Sequence, residues 1–391
     1  MGENIDIREL RKRKRKEKRN KIINAMIFTI LLVSIVGLSV LSYIRTRDID
    51  VLEKCKFLEK YVMHIFEKEE KIYFEMEFDL PNKPKVRVYN KNIANCTRKS
   101  IDIYDRNGKL QSSTNVDYEM LRVSSNGNYF VVAEAGGNKV ILFEGSKKKR
   151  EIDVGGSIIN IDVNKNGYVT VVRKGENVLS EVSVYNPEGK ECFVKGKAKN
   201  YVVFAKLAKN DRDLIINCLD TTGTKLNSVF EFTDIMGKNV GTMVSHEDMI
   251  FADAKFVKDE NVVALTNEEI VYYNASHSEE WRKKFDTKIY GVDICNGKYI
   301  VVGIADDTKT KVSVFNTKGK VKSTINVDGV VKNISSFDNA IAINLGREVL
   351  LYNAKGKYQR KISSKIEVDK IDFIDKDTLV LVTRNGLVVK N

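Results

Sequence analysis

Proline is nearly absent, at 3 of 391 residues, and the 24 glycines follow no three-residue period, which excludes collagen-like and proline-rich chains. The three histidines, His64, His246 and His277, stand far apart, and none has a second at metal-ligand spacing. Five cysteines (Cys55, Cys96, Cys192, Cys218, Cys295) are scattered, odd in number and without a C-x-x-C pair. They make neither a disulfide framework nor a zinc module. No P-loop, G-x-G-x-x-G after a strand, or EF-hand spacing occurs. A nucleophilic triad needs a His beside Ser or Cys with an orienting acid. The richest local cluster, His246 with Glu247 and Asp248, reads as a surface loop, His277 as a turn residue and His64 as part of a stalk. No catalytic, cofactor-binding or metal-binding residue is therefore assigned, and no cofactor is expected.

What the chain does have is 42% hydrophobic and 30% charged residues, enough apolar material for a core. The net charge of +13 is unevenly spread, for residues 1–44 hold ten Lys/Arg against four acids. Behind that basic tail, Ile22 to Ile44 is a run of 23 residues without a charge. As a helix it would span roughly 34 Å, enough for a hydrocarbon layer of about 30 Å. The run is longer than a signal-peptide core and has no small-residue cleavage site or lipobox cysteine after it, so it reads as an uncleaved anchor. The positive-inside rule places residues 1–21 in the cytoplasm and everything after Arg45 outside. The tail lacks groove-reading or aromatic context for nucleic acid. Its expected partner is membrane lipid, through the span and through anionic headgroups. Over residues 45–71, Val51, Cys55, Leu58, Val62 and Ile65 recur at helical spacing, an amphipathic stalk helix.

From Ile72 the period changes from near 3.6 to 2, and a repeat emerges. A short apolar strand ends in an aromatic and an Asn or Asp, then a turn closes on Gly-Lys. Examples are IDIYDRNGK ending at Lys109, VSVYNPEGK at Lys190, VSVFNTKGK at Lys320 and VLLYNAKGK at Lys357. The anchors Asp105, Glu144, Asn186, Asp234, Asn274, Asn316 and Asn353 are 39, 42, 48, 40, 42 and 37 residues apart. An Asn or Asp side chain can bond the backbone two residues on, and Gly supplies a positive φ, so the chain reverses there. Between anchors a second hairpin recurs, as in NIDVNKNGYVTVV from Asn160 and IDFIDKDTLVLVT from Ile371. Four strands in about 40 residues is the β-propeller period.

The expected fold is thus all-β: a propeller over residues 72–391, with eight blades of four antiparallel strands, or seven on the alternative count. The last copy stops after three strands at Asn391, leaving an unpaired edge. Ile72 to Phe78, which alternates apolar and polar residues, is expected to close it. The basic run Lys147–Arg150 reads as a solvated loop, and the cysteines as small buried apolar residues.

The repeats resemble those of quinoprotein-like and WD40-like propellers over residues 72–391. The quinoprotein tryptophan after Gly-Lys is matched only by Trp281, and the family's calcium site by no position. Tail, span and propeller together are similar to an uncharacterised family of membrane-anchored propellers in Gram-positive bacteria. In domain type they are also similar to the eight-bladed lipoprotein of the outer-membrane barrel-assembly machinery, an assembly factor. The resemblance implies a non-catalytic platform at the outer face of the cell membrane with a protein partner in the envelope. Alternatives are a sensor of an extracytoplasmic ligand working through a membrane partner, and a quinoprotein- or glycan-hydrolase-type enzyme.

Overall fold

The computed structural model describes residues 70–391 except 83, 237, 238, 245–249 and 259. They fall within one compact unit, Lys68–Asn391. The basic tail, the apolar run 22–44, residues 45–69 of the stalk, His64 and His246 lie outside the described residues. Among the described residues no helix is long and apolar enough to cross a membrane. Glu70 and Lys71, the only described residues of the stalk segment, are not helical.

Eight four-stranded antiparallel sheets form, seven of them from consecutive strands. Blades 1 to 7 occupy residues 85–115, 121–153, 158–197, 200–244, 253–284, 289–328 and 333–363. Blade 8 combines residues 368–390 with the strand Ile72–Glu77, which pairs with Gly386–Lys390 and takes the outer position. The eight-blade count and the closing strand are both as the repeat implied. Closure joins the two ends of the unit: Lys71 N–H donates to Asn391 Oδ1 at 2.7 Å and Asn391 N–H to Lys71 O at 3.2 Å. Every described strand of the ring lies within residues 72–390.

The apolar interior is divided into eight clusters, each packed between neighbouring blades. One sets Val131 and Leu142 of blade 2 against Ile158 and Ile161 of blade 3. Another joins Ile374, Val380 and Leu387 of blade 8 to Val86 and Ile93 of blade 1. Second and third strands are buried on both faces, as in Val169–Arg173 and Glu269–Tyr273. Outer strands instead alternate with exposed polar residues, as in Tyr358–Ser363. That pattern suits a perimeter that must not recruit another edge. Lys147–Arg150 belongs to this perimeter. It begins the outer strand Lys147–Asp153 rather than forming a loop, with all four side chains exposed and Lys149 and Lys148 paired to Glu144 and Glu151. A charged outer strand has the polarity of a loop, which is why the sequence pattern misled.

The repeated turn has a second role. Asp105 Oδ1 accepts from the backbone N–H of Asn107 and of Lys109, at 2.9 and 3.0 Å. Asn316 and Asn353 repeat the bonding two and four residues on. The glycine then seats against the outer strand of the preceding blade. A Cβ on Gly108 (φ 80°) would stand 2.2 Å from the Phe74 ring, and one on Gly319 would stand 2.8 Å from Trp281. Trp281 stacks on Tyr272 at 5.1 Å and donates Nε1–H to Thr317 O at 2.9 Å, tying blade 5 to blade 6. His277 occupies the glycine position of its turn at φ 61°. It lies buried against Phe232, ring centroids 4.4 Å apart, and burial pushes its pKa below the ordinary 6.5.

Candidate functional site

The meander order sends the first–second and third–outer turns of every blade to one face, and the second–third and inter-blade connections to the other. Bonds between turns confirm the pairing: Gly145 N–H to Asn128 O and Ala354 N–H to Asn339 O on the first face, Ala135 N–H to Met120 O on the second. Glu70 and Lys71 hold, in blade 8, the place of a third–outer turn, so the chain enters the ring on the first face. We call this the entry face and the other the far face.

Innermost strands line the central channel, where a cavity of about 270 Å³ is bounded by Arg87, Ser124, Asp162, Val203, Lys206 and Asp253 among others. Most of its polar groups are spent on holding neighbouring blades together. Ser124 Oγ–H donates to Asp162 at 2.6 Å, and Lys206 Nζ reaches Asp253 at 2.6 Å and Ala254 O at 2.9 Å. Further round, Lys255 pairs with Asp293, which also accepts the N–H and O–H of Ser336. Nearer the far face, Lys85, Arg122, Asn160 and Asn333 each donate to a carbonyl of the next blade's inner strand. Burial raises the pKa of Asp162 against the opposing pull of Lys206 and Ser124. For Lys206 burial pulls downward, but Asp253 and Asp162 outweigh it and the net shift is upward. Of the two cations on the cavity wall, Lys206 is thus engaged. The Arg87 guanidinium makes no hydrogen bond or ion pair among the described residues.

β-Bulges recur where the inner strands leave the far face, at Ile158/Asn160, Val202/Phe204, Ile289/Gly291 and Val368/Lys370. A bulge inserts one residue and re-aims it. The inserted Val203 lines the cavity, and Tyr290 is 45% exposed.

The far face carries Met120, Leu226, Ile250 and Ile366, with Tyr201 and Leu80, all between 45% and 58% exposed. Charged groups of both signs surround them, Asp117, Glu119, Asp306 and Asp307 against Lys99, Lys174 and Lys365. Met120, Leu226, Ile250 and Ile366 do not follow from strand periodicity, because they sit in connections, whereas Tyr201 belongs to the inner strand Asn200–Leu207. Only the order of turns along the meander groups them.

Nucleophilic chemistry finds little support in the cysteines. Cys96, Cys218 and Cys295 are buried, and burial raises their thiol pKa values, to about 11 for Cys218 and about 12 for Cys295. Cys192, expected inside, is exposed on the outer strand Glu191–Lys197, where burial still raises its pKa. Among the described residues no three His, Cys, Asp or Glu side chains meet as a metal ion requires.

Solved structures that resemble the propeller include the following two. BamB from Moraxella catarrhalis aligns with a TM-score of 0.55 at 11% identity, over 82% of this chain and 99% of that one. A eukaryotic initiation factor aligns with a TM-score of 0.54 at 12% identity, over 78% and 84%. At such identity the likeness is one of fold. No curated protein matches the chain. Residues 58–389 match the model of a family of unknown function, DUF5711, and the chain belongs to that family.

Proposed function

We propose that this chain is a non-catalytic binding platform: a propeller tethered by residues 22–44 to the outer face of a cell membrane, with residues 1–21 cytoplasmic. The platform receives a protein partner on its far face. The observation that carries this reading is that exposed Met120, Leu226, Ile250 and Ile366 all lie on the face away from the chain entry, whereas the described turns of the entry face expose Met236 and Phe337. Large apolar side chains grouped on one face of a monomer and rimmed by charge are the usual make-up of a protein-binding patch. Rigid blades fix the loops that bear them. The charge-free run 22–44 and the ten basic residues before it support the tether and its direction.

The test is to replace Met120 and Ile250 together by Asp in the full-length chain and to compare the proteins crosslinked to it in membranes. A specific adduct present with the wild type and lost with M120D/I250D, at unchanged thermal stability, supports the reading. Adducts indifferent to the change oppose it.

A second reading rests on Arg87. An unengaged guanidinium on the wall of a 270 Å³ cavity suits a small anion, which would make the propeller a ligand sensor working through a membrane partner. Ligand-induced stabilisation that disappears in R87M would favour it.

A further inference from the structure

The repeated Asn/Asp-x-x-Gly-Lys turn contains one residue that turn geometry does not explain. The Asn or Asp and the Gly are accounted for by bonding and by φ. Lysine contributes only its backbone: its N–H donates to the anchor side chain, at 3.0 Å for Lys109 and Lys357 and 2.9 Å for Lys190 and Lys320, and its carbonyl accepts from the anchor's N–H. Any residue but proline would do that. These four ammonium groups are exposed and have no carboxylate partner among the described residues. Lys91, Lys165, Lys298 and Lys376 extend the pattern, exposed in first–second turns of the same face. Exposed acids there are fewer, chiefly Glu188, Asp338 and Asp377. The entry face is therefore a broad, shallow surface of positive charge set around the ring, whereas the far face is mixed in sign.

We infer that the entry face lies against a lipid surface bearing anionic headgroups, with the turn lysines as its contact points. Three features favour lipid over a single polyanionic strand. The charges are spread around a ring rather than along a groove, and Phe337 is the one exposed aromatic among the described turns of this face, too few for a series of stacked bases. The ring is also entered on this face at Glu70, only 26 residues beyond the apolar run that ends at Ile44. This last point rests on the tether proposed above. Lysine suits the task, since a compact ammonium on a flexible stem needs no fixed geometry to meet a diffuse negative surface.

The test uses the full-length chain in phosphatidylcholine vesicles with and without phosphatidylglycerol, with a membrane-impermeant lysine-acylating reagent read by mass spectrometry. Lys109, Lys190, Lys320 and Lys357 are expected to react about fivefold more slowly in the anionic vesicles. Far-face Lys99, Lys174 and Lys365 should be unaffected. Protection should collapse in about 1 M salt, where the screening length is about 3 Å. The quadruple Lys→Gln variant keeps every backbone N–H of the turns and so should stay folded. On it the neighbouring Lys91 and Lys298 should lose their protection. Equal reactivity of the turn lysines in both vesicle types overturns the inference. So does protection that appears only on adding soluble poly(glycerol phosphate), which would assign the face to a polymer. Flotation with neutral vesicles reports the tether separately: a chain that fails to float refutes the tether, and lysine protection judges the face.

Discussion

Gly108→Ala should open the ring's seam, and its cost separates into two parts. At φ 80° an alanine pays about 1 kcal/mol for a backbone conformation that L-residues avoid. Its methyl would also stand 2.2 Å from Cδ2 of Phe74, on the strand that closes blade 8, and displacing that ring costs about 1–3 kcal/mol more. The total is about 2–4 kcal/mol, or about 4–8 °C in Tm at roughly 2 °C per kcal/mol for a domain of this size. Phe74→Ala removes the obstacle, so Gly108→Ala in that background should cost only the backbone part, about 1 kcal/mol. Thermal unfolding of residues 70–391, followed by the fluorescence of the only tryptophan, Trp281, gives all four corners of the cycle. Equal costs of Gly108→Ala in the two backgrounds would refute the docking of this turn on the closing strand.

Deleting residues 72–77 should lower the melting temperature and promote aggregation, because it exposes the edge at Gly386–Lys390; an unchanged melting profile would show that the ring closes otherwise. His277 has a depressed folded pKa, so the unfolded chain binds its proton first, and stability should fall as pH drops below 6.5. His277→Gly should flatten that slope in melting curves taken across the range. Asp162 is shifted the other way, so its ionised form weakens the fold at neutral pH while the protonated form below 3.8 does not. Asp162→Asn should therefore raise the melting temperature near neutral pH and lose that advantage in acid.

The repeat was readable because its turn demands particular residues. Asn316 and Gly319 are fixed by bonding and by φ, and such needs survive when the strands between them drift in sequence. The closing strand was readable for a related reason, since three strands at Asn391 leave an edge that Ile72–Glu77 alone could cover. Other features depend on contacts that sequence does not display. Lys206 meets Asp253 and Ser124 meets Asp162 across 47 and 38 residues, and nothing in either segment marks its partner. Glycine's part in blade docking was equally hidden, because Phe74 lies outside the repeat that contains Gly108. Lys147–Arg150 looked like a loop because an outer strand exposes charge as a loop does. The two faces emerge only when turns forty residues apart are sorted by the direction of their strands.

The central claim is that the far face, not the channel or the entry face, receives a protein. A photocrosslinking residue placed singly at Met120, Leu226 or Ile250, and for comparison at Lys318 or Lys355, can be activated in intact cells carrying the full-length chain. Far-face positions are expected to give one discrete protein adduct in common and the entry-face positions none. Adducts of the same size from both faces, or from the entry face alone, would contradict the account.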